Sequence, residues 1–138
     1  MPFNLMAYDR LQGINFPRMR QYRLDRTKKL MEEDGVDLLV SWEPWNIRYI
    51  TGGYLSMQSR WASEQFVVLA KNGEPHLFAY TCYDPDKAGK EMPWMKGRIH
   101  HVPFGGKMAA TPDQLEDTIR EIGKIMAEYG VTGGTVGL

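Results

Sequence analysis

Four side chains supply the strong nitrogen and sulfur donors of this sequence: His76, Cys82, His100 and His101. A protein metal centre needs several such groups converging on one point, and these have no ligand spacing. His100 and His101 are neighbours on an expected strand, where successive side chains leave opposite faces. They cannot share an ion without a bulge, and they read as satisfied or surface histidines. Asp84 and Asp86 flank Pro85, yet Lys87-Ala88-Gly89-Lys90 lacks the further acids and the placed glycine of a calcium loop. A helix cap is the expected use, because turn residues beside Lys87 offer no buried pocket to separate two carboxyl pKa values. Cys82 has no histidine close in sequence to activate it and reads as a buried structural thiol. No Gly-x-Ser-x-Gly elbow is present. Phe104-Gly105-Gly106-Lys107 ends as a P-loop does, but Met108 stands where Ser or Thr is required. Gly133-Gly134 precedes an expected strand, whereas a dinucleotide fingerprint follows one. No catalytic residue, metal site or cofactor site is therefore expected from the residues of this chain.

The elements that position these residues begin with an irregular arm over 1–17, broken by Pro2, Gly13 and Pro17. From 18 to 34 there is no Pro or Gly, and helix formers dominate. Met19, Tyr22, Arg26 and Leu30 are expected on the buried face, with Arg26 contributing its alkyl stem. Gly35 supplies the stop. The run from Val36 to Trp42 is apolar and β-branched, as a strand buried on both faces would be. A short helix over 45–50 ends at Gly52-Gly53, and 54–63 reads as an ordered loop. The segments 65–70 and 74–80 flank Asn72-Gly73, a signal for a tight primed hairpin turn with positive φ at its centre. A Pro-punctuated helix over 84–95 and a strand over 98–104 are expected next. Thr111-Pro112-Asp113-Gln114 has the form of a capped helix start. Leu115, Ile119, Ile122, Met126 and Tyr129 then recur at helical spacing on the expected buried face, and Gly130 ends the helix. Residues 135–138 read as a last strand. An apolar strand with nothing after it to cover it raises the expectation that the polypeptide continues past Leu138.

Bulk properties bound the function. The 138 residues, 43% hydrophobic and 25% charged, suit one globular domain. Seventeen basic and seventeen acidic side chains cancel, so no net field draws the chain to nucleic acid or to an anionic membrane. The crowded bases Arg10, Arg18, Arg20, Arg23, Arg26, Lys28 and Lys29 read as a solvated helix face. A lone cysteine and a start without a long apolar run point to the cytoplasm.

One stretch carries a specific signal: Gly35-Val36-Asp37-Leu38-Leu39-Val40, followed by Pro44-Trp45-Asn46-Ile47-Arg48-Tyr49-Ile50-Thr51-Gly52. With the Arg-rich helix before it, this resembles the amino-terminal domain of the creatinase, prolidase and aminopeptidase P family. Residues 18–26 with Asn46-Ile47-Arg48-Tyr49 look especially like the dimethylsulfoniopropionate lyase branch. The resemblance implies an α/β domain over 18–138, three-layered and ribonuclease H-like, with a mixed, partly antiparallel sheet flanked by helices. It further implies a second, catalytic domain, absent here, that carries two divalent metal ions or, in creatinase-like members, none. A homodimer acting on a dipeptide or a small zwitterion is the expected assembly. The loop over 54–65 would lean toward the partner subunit's active site, with Tyr54, Arg60 and Trp61 as its substrate contacts. A guanidinium pairs with a carboxylate, and an indole covers a small zwitterion. Asp37, Asn46, Arg48, Tyr49 and Gly52 are expected to be scaffold: Asn46 to turn or cap the chain, Ile47 and Tyr49 to pack on opposite sides of the helix, and Gly52 to permit a left-handed exit.

Overall fold

A computed structural model describes residues 13–53, 65–80, 89–90, 92–102 and 111–138. The elements are α1 (Phe16–Glu33), β1 (Leu38–Ser41), α2 (Pro44–Thr51), β2 (Gln65–Ala70), β3 (His76–Tyr80), a 3-10 turn (Pro93–Met95), β4 (Ile99–Val102), α3 (Pro112–Glu128) and β5 (Val136–Gly137). The strands form one sheet in the order β4-β3-β2-β1-β5. Its centre is antiparallel, β1 to β2 and β2 to β3, and its flanks are parallel, β3 to β4 and β1 to β5.

Strand alternation divides the core in two. Val67, Leu69, Leu77 and Ala79 point to one face and bury Leu24 and Met31 of α1, Ile47 and Ile50 of α2, Met92 and Met95. Leu38, Val40, Phe66, Val68, Ala70, Phe78 and Val102 point to the other and meet Ile125 of α3 and Val131. The result is a three-layer α/β domain.

Helix α1 begins two residues earlier than its composition suggests. Asn15 Oδ1 accepts the Arg18 N–H at 3.0 Å, and Pro17 sits in the first turn, where a missing N–H costs nothing. Helices α1 and α3 end alike. The N–H groups of Gly35 and Val36 donate to Glu32 and Met31 carbonyls, and those of Gly130 and Val131 to Ala127 and Met126. Both are Schellman ends with a left-handed glycine, φ +67° in each case. At the start of α3, the Thr111 N–H donates to Gln114 Oε1 at 3.1 Å, half of the capping box that the sequence announces.

The buried helix faces differ from those expected. In α1 the buried residues are Leu24 and Met31, while Tyr22 and Leu30 are 61% and 50% exposed and Arg26 is exposed. Arg20 and Arg23 occupy the inward side because their guanidinium groups lie on rings, Arg20 3.9 Å from the Trp94 centroid and Arg23 5.2 Å from that of Tyr49. Part of the basic run is thus packing surface and not a solvated face. In α3, Thr118 and Ile125 are buried, with Ile122, Met126 and Tyr129 partly covered, whereas Leu115 and Ile119 are exposed. Thr118 tolerates burial because its hydroxyl donates to the Gln114 carbonyl at 3.0 Å.

The turn between β2 and β3 is wider than a two-residue hairpin. Pairing stops at Val68 opposite His76, and Pro75 has no N–H to extend the ladder. Neither Asn72 nor Gly73 takes positive φ; instead the Gly73 N–H donates to the Ala70 carbonyl at 2.9 Å. Glycine is needed at 73 for space, since a Cβ there would lie 2.8 Å from the Tyr129 ring.

Candidate functional site

Helix α2 carries most of the sequence signature. Pro44 occupies its first turn, Ile47 and Ile50 enter the core, and Gly52 leaves it left-handed at φ +66°. Asn46 does not cap the helix, whose N-cap residue is Glu43. Its Nδ2 reaches back to Ser41 Oγ at 3.5 Å, tying α2 to the end of β1. Arg48 is exposed in the last turn, and its carbonyl accepts the Gly52 N–H. Tyr49 turns away from Ile47 toward α1 and lies under Arg23.

The exit from α2 is held from several sides. Thr51 Oγ1 donates to the Ile47 carbonyl at 2.7 Å and accepts the Gly53 N–H at 3.1 Å. The Thr51 carbonyl accepts the Trp94 indole N–H at 2.8 Å, and the other face of this arrangement is the Arg20 guanidinium on Trp94. Backbone approaches are close: a Cβ on Gly52 would meet the Arg20 stem, and one on Gly53 the Met92 sulfur. Gly53 is therefore a fixed departure point, and Gln65, buried opposite Ala79 in the sheet, is a fixed return point. Tyr54, Arg60 and Trp61, the expected substrate contacts, lie outside the described residues, as do Cys82, Asp84, Asp86 and the segment 104–107.

Asp37 joins three parts of the fold. Its Oδ2 accepts the Thr135 N–H at 2.8 Å, its Oδ1 pairs with Lys71 Nζ, and its carbonyl accepts the Lys71 N–H. Gly134 passes so close that a Cβ would lie 2.6 Å from the carboxylate. The hydrogen bond from Lys71, then that from Thr135, holds the carboxyl below the usual aspartate value. The carboxylate ties the start of β5 to the start of β1. Both of its oxygens are engaged within the fold, one by Thr135 and one by Lys71.

The family model for the creatinase/prolidase N-terminal domain matches residues 23–138, which include Asp37, all of α2 and every strand. The chain belongs to the creatinase/prolidase N-terminal domain family. A comparison with curated proteins gives no match.

In this creatinase/prolidase N-terminal domain the α3 side of the sheet carries a feature that sequence reading passed over. A row of rings crosses the strands: Trp42 on Phe66 (5.4 Å between centroids), Phe66 on Phe78 (4.6 Å) and Phe78 on His100 (4.6 Å). His100 then stacks on His76, which meets the edge of Tyr129. The histidine nitrogens are in contact, His76 Nδ1 to His100 Nε2 at 2.9 Å, and His76 Nε2 lies 3.4 Å from the Tyr129 hydroxyl. His100 Nδ1 faces Glu121 at 4.0 Å, and Glu121 is also held by Lys124 at 2.9 Å. Burial first, then His100 and Arg98, drives the pKa of His76 down to about 4, against a smaller opposing pull from Glu121. Burial lowers that of His100 too, partly offset by Glu121. Parallel pairing of β3 with β4 puts Leu77 opposite Ile99 and Phe78 opposite His100, which brings residues 24 positions apart into contact. Only the shared parity of 76, 78 and 100 within their strands hinted at one face. His101 leaves the opposite way and is exposed, as alternation requires. Among the described residues no three His, Cys, Asp or Glu side chains converge where an ion could sit, and no helix is long and apolar enough to cross a membrane.

Proposed function

We propose that this domain is the non-catalytic amino-terminal part of a dinuclear-metal hydrolase of the Xaa-Pro dipeptidase, aminopeptidase or creatinase-like kind. In this reading it helps form a homodimer and presents the loop over 54–65 to the active site of the partner subunit. Arg60 pairs there with the carboxylate of a dipeptide or small zwitterion, Trp61 excludes water from it, and Tyr54 lines the approach. The metal ions and the reacting groups belong to the second domain.

The observation that carries the reading is family membership over 23–138. It is supported by the bracing of Gly53 and Gln65, the two points between which the loop runs: a loop that must meet a substrate to within a fraction of an ångström needs fixed ends. The Arg-rich segment that resembles the lyase branch is used on Trp94 and Tyr49. That is a packing role, and it lends no weight to lyase chemistry over hydrolysis.

The test is Arg60→Ala in the enzyme that joins this domain to its metal-bearing one. Loss of a charge-assisted bidentate pair is worth about 1.5–3 kcal/mol, so KM should rise by roughly 10- to 100-fold with metal content unchanged by elemental analysis. Unaltered kinetics would remove Arg60 from the substrate site. Elimination of a small sulfonium zwitterion in place of amide hydrolysis would move the parent to the lyase alternative. A protein that acts with no second domain would instead make this a stand-alone interaction module.

A further inference from the structure

We propose that His76 and His100 form an acid-sensitive latch that holds α3 on the sheet. The contact is set by geometry: two imidazole nitrogens 2.9 Å apart can share one proton but cannot each carry one. One directional chain fits these contacts: Tyr129 O–H to His76 Nε2 and His76 Nδ1–H to His100 Nε2, with His100 Nδ1–H turned toward the Glu121 carboxylate 4.0 Å away. Both rings are neutral in that chain. A first added proton goes to His76 Nε2, where the Tyr129 hydroxyl turns from donor to acceptor, or to His100 Nε2 with reversal of the His76 tautomer, and in either case a buried ring is charged. A second sets N–H against N–H, and the contact must open. The pair therefore titrates as a unit.

The charged neighbours do not rescue it. On α3, Glu121 favours protonation, but Lys124 already neutralises that carboxylate. Asp117 lines the cavity of about 470 Å³ beside His100 and is paired with Arg120. From the segment before β4, Arg98 opposes a positive charge on His76. β2 contributes only apolar groups to this face, and Glu74, before β3, is directed to Arg98. The cavity opens onto His100, the member of the pair through which water reaches the contact.

The sign follows from the neutral, buried state. Folded pKa values below the ordinary histidine value mean that the unfolded chain binds protons first as pH falls. The contribution of the latch is complete above the unfolded value near 6.5 and is lost as pH drops from there through the folded value, about 4 for His76. α3 is the part affected, because Glu121 and Tyr129 are its contacts to the pair, and Ile125 with the partly buried Ile122 and Met126 is its main apolar hold on the sheet.

Hydrogen exchange of the 138-residue chain, corrected for intrinsic rates, tests this between pH 7 and pH 4.5. Amides of α3 should lose at least about tenfold in protection while those of α1 change less. In His76→Phe/His100→Phe, which keeps the ring stack without the titration, the difference between the two helices should vanish. Equal loss in both helices of the wild type, or an undiminished α3 response in the double variant, overturns the latch. Nitrogen-detected NMR titration of the wild-type rings decides the matter if that variant does not fold. Two coupled steps with Nδ1–H tautomers at neutral pH support the proposal, and independent titrations near 6.5 refute it.

Discussion

At the scale of single residues, the structure reassigns why particular side chains are needed. Gly73 belongs to a turn signal, yet its backbone is in a region open to any residue, and what excludes a side chain is the Tyr129 ring. Gly73→Ala should therefore destabilise through overpacking, by about 1–3 kcal/mol. The cost should largely disappear in a Tyr129→Ala background, as a double-mutant cycle by urea denaturation would measure. An equal penalty in both backgrounds would return the effect to the backbone. Asp37 was legible as a signature residue from its neighbours in sequence, but its partner Thr135 is 98 positions away. Asn46 likewise has the chemistry of a cap and is used instead as a tie to Ser41. Side-chain type limits what a residue can bond to; the partner is chosen by the fold.

At the scale of elements, ends were more legible than faces. A cap or a Schellman glycine acts through bonds three to five residues long, so Gly35, Gly52, Gln114 and Gly130 could be read locally. The buried stripe of a helix is less constrained, since long cationic stems and hydroxyls can pack where apolar spacing alone would not place them. Leu24 and Leu30 separate the two readings of α1. Truncation of Leu24, 5% exposed, should cost about 2–5 kcal/mol, and that of Leu30, half exposed, under about 1 kcal/mol. Thermal or chemical denaturation of Leu24→Ala and Leu30→Ala checks the ranking, and a larger effect at Leu30 would restore the face inferred from periodicity.

At the scale of the whole molecule, β2 is the spine: each of its six residues is buried, and it pairs on both sides. β5 is two residues long and, among the described residues, pairs in this sheet with β1 alone. Amide exchange at neutral pH should accordingly be slowest at Val67, Val68 and Leu69 and fastest among strands at Val136–Gly137. The reverse order would mean that the central pairing is not the last structure to open. The α/β class, the run of helices and strands, and the family could all be read from sequence. Each rests on a local pattern: β-branched residues in a short run, helix formers between a cap and a glycine, and a signature contiguous from Gly35 to Gly52 apart from a three-residue gap. Strand order, the wide β2–β3 turn and the choice of helix face needed the tertiary structure. So did the cluster around the two histidines, because His76, His100, Glu121 and Tyr129 come from three elements that meet only once β4 lies parallel to β3 and α3 packs across them. Local sterics and hydrogen bonding determine which elements form; contact between distant residues depends on how those elements are ordered and packed, which no short stretch of sequence encodes.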